Sequence, residues 1–276
     1  MIDPFDYKEP SCVLCGGEDF YYPDAEKPAG RIPIDRIIQK LDAFFEKNDL
    51  DGADKHLTFW HNEALSLNDK QGELTIVSEM IGFFRKTGDA ERAAKAVSRG
   101  IELVECLNLA DTVSGATVYL NAATTMKAFG NAQSAMPYYD RAADVYEKVL
   151  DGDDRRKAGL YNNRALTYAD LGKNDLAEKD YLSAIDVLSK TKGNDNEIAV
   201  TYVNYAHLVE NDKTKSVFAP IELMKKAWDH LNDQSIVRNG NHAQVCEKCA
   251  PSFAHFGFNA EAKELAARSK EIYERN

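Results

Sequence analysis

Two Cys-x-x-Cys pairs carry the clearest chemical potential in this chain: Cys12-Val-Leu-Cys15-Gly-Gly near the N-terminus and Cys246-Glu-Lys-Cys249 near the C-terminus. The first has the form of a zinc knuckle, in which glycines after the second thiolate let the backbone turn tightly around a metal. Four thiolates at about 2.3 Å close a tetrahedral structural zinc site. Cys12, Cys15, Cys246 and Cys249 are therefore expected to hold one zinc ion together. Cysteines three apart on a helix share a face. Pro251 removes a backbone hydrogen bond just beyond them, and the bend is expected to turn the pair outward. By register Cys246 takes a buried position and Cys249 a more exposed one, which cuts against that. His242, one turn before Cys246, is a reserve ligand whose simpler reading is a surface histidine. Redox chemistry of the thioredoxin kind places such a pair at a strand-to-helix junction, and no such context exists here. Thiol sensing remains as a further use of the pairs. Cys106 reads as a core residue.

Catalytic signatures are missing. No P-loop, H-E-x-x-H, G-x-S-x-G or dinucleotide fingerprint occurs. His56, His61, His207, His230, His242 and His255 read as scattered, and Asp151-Gly-Asp-Asp154 lacks calcium-loop spacing. An enzyme is not expected.

The elements that must position these residues are helices. The chain has 276 residues, 44% of them hydrophobic, which is too apolar for disorder and long enough for one or two domains. No apolar run approaches the ~18 residues of a membrane span, and the opening Met-Ile-Asp-Pro-Phe-Asp lacks a basic leader. A cytoplasmic protein is expected. With 34 basic against 45 acidic residues the net charge is −11, and no basic stripe is present to neutralise phosphates. Nucleic acid is not an expected partner.

Helical periodicity runs almost throughout. Gly88, Gly130 and Gly172 recur every 42 residues, and each is followed five positions on by an alanine: Ala93, Ala135 and Ala177. Gly257 with Ala262, and Asn48 with Ala53, repeat that offset. Before Gly172, Tyr161, Ala165 and Tyr168 fall on one helical face. After it come Ala177, Tyr181, Ala184 and Leu188 at the same spacing. Two such stripes joined by a tight turn must face each other, and the small residues let the helices approach closely. Tyr119, Ala123, Met126, Ala135, Tyr139 and Ala142 repeat the pattern one period earlier.

An aromatic, small, aromatic triplet, a turn glycine and then an Ala, aromatic, Ala triplet resemble the tetratricopeptide repeat. Six units follow: roughly 34–68, 71–107, 113–150, 155–190, 195–232 and 239–275. The fourth is the most faithful. The fifth is the weakest, with Asn211-Asp212-Lys213 in place of the turn glycine. A unit recurring this often is a specific signal. The long period, and the stretch Gly193-Asn-Asp-Asn-Glu-Ile-Ala-Val-Thr-Tyr-Val-Asn-Tyr-Ala206, are similar to the kinesin light chain type of repeat. The resemblance implies an all-α fold: a right-handed α-solenoid of about six helix hairpins over residues 34–276, preceded by an irregular arm over 1–33.

The resemblance also implies that the first helix of each unit lines the concave side. A polar residue recurs there, two positions before the small residue: Gln39, Glu79, Asn121, Asn163, Asn204 and Lys248. Asparagine offers both a donor and an acceptor, the pair needed to grip a peptide bond, and asparagines at this position bind peptide backbone in such proteins. Asn121, Asn163 and Asn204, extended by Thr117, Thr124 and Lys127, form the expected peptide site. An interior asparagine can equally bond the next helix and set repeat spacing.

The arm holds seven acidic and three basic residues, five prolines and no helical period. Five steps of 8–10 Å between stacked hairpins span on the order of 40–50 Å. The nineteen residues from Cys15 to Ile34 reach at most ~65 Å when extended. The arm is long enough to run through the groove, with Phe20, Tyr21 and Tyr22 packed there and zinc stapling it at the far end. The chain is thus expected to be a non-enzymatic scaffold or adaptor that binds a peptide or protein segment, with its own arm as one occupant. The alternatives are a peptide-responsive regulator of the pheromone-receptor kind and a thiol- or zinc-dependent regulator. A charged outer face on the last helix ends the stack in water, so a monomer or weak dimer is expected.

Overall fold

The computed structural model describes residues 28–210 and 212–275. Cys12, Cys15 and most of the arm lie outside the described residues. Among those described, twelve α-helices form six hairpins: α1 (Ile34–Glu46) with α2 (Leu50–Ser66), α3 (Lys70–Thr87) with α4 (Ala90–Cys106), α5 (Val113–Ala128) with α6 (Ala132–Val149), α7 (Arg155–Asp170) with α8 (Asn174–Ser189), α9 (Asp195–Val209) with α10 (Ala219–Leu231), and α11 (Gly240–His255) with α12 (Asn259–Arg275). No strand occurs among them. The fold is an all-α helical repeat.

The turns inside the hairpins need a residue that accepts left-handed backbone. Gly88, Gly130, Gly172 and Gly257 supply it at φ between 70° and 86°, and Asn48 does so in the first hairpin at φ 52°. Asn68 and Asn108, both at φ 53°, end the second helices of the first two hairpins in the same way. Asparagine tolerates this region better than other residues with a Cβ because its short side chain bonds locally. Side-chain caps start many helices: Asp49, Asp69, Asp89, Thr112, Asp154 and Asn239 each accept a backbone N–H of the following turn. Each satisfies a donor the helix itself leaves unpaired.

Packing follows the small-residue pattern. Ala165, Ala177 and Ala184 are fully buried, as are Tyr139, Tyr146 and Tyr181. The alanines let the helix axes approach, and each tyrosine fills the space left beside them. One apolar cluster runs from Ile32 to Leu160, another covers α9 to α12, and two smaller ones bridge them at α7 to α9. Pro137 and Pro251 both lie inside helices that continue past them.

The spacing of Ala260, Leu265, Ala266 and Ile272 predicts that all four face inward on the last helix, and the structure differs. Leu265 and Ile272 are buried, but Ala260 and Ala266 are exposed. Arg268 is buried in their place, donating to the Leu231 carbonyl at 2.8 Å and to Asn232 at 2.7 Å.

First helices of neighbouring hairpins approach one another, whereas second helices do so far less. The first helices therefore lie on the inner side of the curve. That curve brings the two ends together. The Gly240 N–H, at the start of α11, donates to Glu46 Oε2 at 2.7 Å, across 194 residues of sequence. Hairpins one and six touch, where a straight stack would hold them tens of ångströms apart.

Candidate functional site

The inner face is built by polar side chains that tie each first helix to the next. Asn121 Nδ2 donates to Ser78 Oγ at 3.1 Å, joining α5 to α3. Arg85 Nη1 of α3 reaches back to Thr125 Oγ1 at 3.1 Å. Lys127 pairs with Asp170 at 3.5 Å between α5 and α7. Asn204 Nδ2 donates to Asn162 Oδ1 at 3.1 Å, from α9 to α7. His242 completes the series by bonding Asn196 from α11 to α9 at 2.7 Å.

The expected peptide site is thus only partly free. Asn121 and Asn204 are half-buried and occupied in bonding neighbouring helices, and Lys127 is already paired. Thr117 and Thr124 do not line the face at all. Both are buried, with Thr117 Oγ1 2.7 Å from the Tyr146 hydroxyl and Thr124 Oγ1 accepting from Tyr139 at 3.3 Å. The helix rotates them toward the partner helix of their own hairpin, where each satisfies a buried phenol. Asn163 differs. It is 2% exposed, and its Oδ1 has no hydrogen-bond partner among the described residues. Leaving a buried acceptor unmet costs about 1–3 kcal/mol.

The expected bend at Pro251 does not turn the second cysteine pair outward. Cys246 and Cys249 are both buried, at 0% and 1% exposure, in the cluster formed by α9 to α12. Burial pushes the Cys246 thiol up to about 11 and the Cys249 thiol up to about 12. Both are neutral thiols in this arrangement, and a metal binding there would displace their protons. His242 is not a surface residue but fully buried. Burial, aided by Arg268 and Arg238, drops its pKa to about 4. As a neutral ring it donates from Nδ1 to Asn196 Oδ1, and its Nε2 lies 3.4 Å from Cys246 Sγ, accepting the thiol proton. Cys106, read from sequence as core, is exposed at the end of α4, with Lys70 Nζ 3.4 Å from its sulfur.

Sequence reasoning missed one element of this face and one beside it, where α7 meets α8. Asn162, adjacent to the repeating position, is the residue that receives Asn204. Arg164 forms a bidentate pair with Asp180, at 2.7 and 3.0 Å, while its guanidinium lies over the rings of Tyr161 and Tyr168. The aromatic pair flanking an arginine on one helical face was the available signal.

Residues 116–155 and residues 158–187 each match the tetratricopeptide repeat. No curated protein matches the chain. Among solved structures, BtubC (BKLC) from P. vanneervenii is similar with a TM-score of 0.52 at 16% identity, over 89% of this chain and 92% of that one. A kinesin light chain of nearly identical TPR-like repeats from Podosopora anserina has a TM-score of 0.52 at 14% identity, over 73% of this chain and 95% of that one. At such identities the likeness is one of fold. Tetratricopeptide repeats are thus recognisable at 116–155 and 158–187, and the fold of the chain is similar to that of repeat structures of the kinesin light chain type.

Proposed function

We propose that this chain is a non-enzymatic scaffold that binds an extended segment of a protein partner along the inner face of its first helices. Tetratricopeptide repeats suggest a protein-interaction scaffold, and the observation that carries the finer reading is Asn163. In a row where Asn121 and Asn204 already bond neighbouring helices, its buried carboxamide oxygen has no donor among the described residues. Turned outward into the groove, the carboxamide oxygen would accept a backbone N–H of a bound segment. The N-terminal arm, residues 1–33, competes for the same face in this reading.

Selection from a random peptide library on the immobilised full chain tests the proposal. Selected peptides are expected to bind Asn163→Ala about 5- to 10-fold more weakly, the worth of one hydrogen bond of ~1 kcal/mol. The melting temperature should hold, because the free chain loses no bond there. Unchanged affinity with a lower melting temperature would make Asn163 a structural residue and sink the reading. A chain lacking residues 1–27 is expected to bind the same peptide more tightly; equal affinity would remove the arm from the groove.

A further inference from the structure

Where α9 and α11 run side by side, three ligand-bearing side chains converge near the C-terminal ends of the two helices. His207 and Glu210 sit one turn apart, and His255 is the last residue of α11. One ligand atom from each lies within 4.8 Å of the other two. His255 Nε2 is 2.6 Å from Glu210 Oε1, and His207 Nδ1 is 3.7 Å from Glu210 Oε2. All three are exposed, so an ion has direct access from solvent.

We propose that His207, Glu210 and His255 form a surface site for a divalent transition metal of the zinc class. Two imidazoles and one carboxylate are a donor set that zinc favours, and bonds of 2.0–2.2 Å place tetrahedral ligands about 3.3 Å apart. The observed separations bracket that value, so modest side-chain rotation closes the site. The other ring nitrogen of His207 is already engaged: Nε2 lies 2.9 Å from Ser252 Oγ. With Nε2–H donating to that hydroxyl, Nδ1 carries the lone pair toward Glu210. Such an outer partner fixes both tautomer and ring orientation in metal sites. Phe256 closes one side, with its ring centroid 4.8 Å from those of both histidines. Three protein ligands leave the fourth position to water. On binding, the metal takes the place of the proton between His255 Nε2 and Glu210, which is released to solvent, and ties hairpin five to hairpin six.

The test uses the full chain carrying Cys12→Ser and Cys15→Ser, so that the N-terminal thiols cannot contribute. Chelator-treated protein is titrated with Zn2+ alone by calorimetry, and with Co2+ by visible absorption. One equivalent of Zn2+ with a raised melting temperature is expected, together with visible Co2+ bands lacking thiolate charge transfer. His207→Ala and His255→Ala should each abolish the heat and the bands. Ser252→Ala should weaken Zn2+ binding on the order of 10- to 100-fold. Glu210→Gln, which keeps the side-chain shape, guards against loss of fold and should also lose the ion. The proposal is overturned if the Cys12→Ser, Cys15→Ser reference chain binds no Zn2+. It is equally overturned if the His207→Ala and His255→Ala chains retain binding, or if thiolate charge transfer appears.

Discussion

Glu46 and Gly240, in the first and last hairpins, share a hydrogen bond of 2.7 Å. The carboxylate sits at the positive end of α11, where a helix leaves its first N–H groups unpaired and favours negative charge. Glycine permits the approach: a Cβ at position 240 would lie 2.9 Å from the Glu46 Cα. Glu46→Ala is expected to destabilise the chain by about 1 kcal/mol. Gly240→Ala should also part the two ends. Small-angle scattering checks both, and an increased radius of gyration is expected for each variant. An unchanged radius in Gly240→Ala would mean that the contact does not hold the ends together.

The turn at Gly172 isolates a pure backbone effect. Its φ is +70°, and nothing lies within 4 Å of where a Cβ would point. Gly172→Ala therefore costs only left-handed strain, about 1–2 kcal/mol, and Asn48→Gly should be nearly neutral. Urea unfolding measures both. A Gly172→Ala midpoint equal to wild type would contradict the assigned turn.

Acid sensitivity should arise at His242. Its folded pKa is about 4 against an ordinary 6.5, so between those values the unfolded chain binds the extra proton. Stability from this group is complete above pH 6.5 and falls as pH drops toward 4. The expected loss between pH 7 and pH 5 is about 2 kcal/mol. His242→Gln should remove that part of the slope, and the difference between the two urea-denaturation series reads it out directly. Parallel series would mean that His242 titrates normally.

Thiol labelling should separate the cysteines by environment. Cys106 is exposed and should alkylate in the native chain at pH 8. Cys246 and Cys249, buried and raised to about 11 and about 12, should react only after denaturation, since the thiolate is the nucleophile. Peptide mapping by mass spectrometry assigns each label. Rapid native labelling of Cys249 would show that α11 opens readily.

The hairpins were legible because their signals are local. A glycine in the left-handed region every 42 residues, with small residues opposite large aromatics, leaves little choice of partner for each helix. The inner face was less legible. A repeating asparagine has the same sequence signature whether it bonds a ligand or the next helix, and only the distance from Asn121 to Ser78 decides. Thr117 and Thr124 lay close to the expected face in helical projection, but Tyr146 and Tyr139 claimed them from the neighbouring helix. Cys249 was expected to be more exposed because Arg164 holds its position in the fourth hairpin. A short thiol lacks the reach of an arginine, so the site closes over it. Nor could the meeting of Glu46 with Gly240 be read, since it sums small rotations over six hairpins that no single motif encodes.

That meeting bears on how such a chain can evolve. Open solenoids lengthen or shorten by whole units, because each unit contacts only its neighbours. Here a contact joins the first unit to the last, so the number of units is itself a fitted quantity. A duplicated 42-residue segment would carry Glu46 away from α11 and break the contact, even if every local interface were preserved. Variation in this lineage is therefore expected as substitution within units, with insertions tolerated chiefly in loops such as the one between α9 and α10.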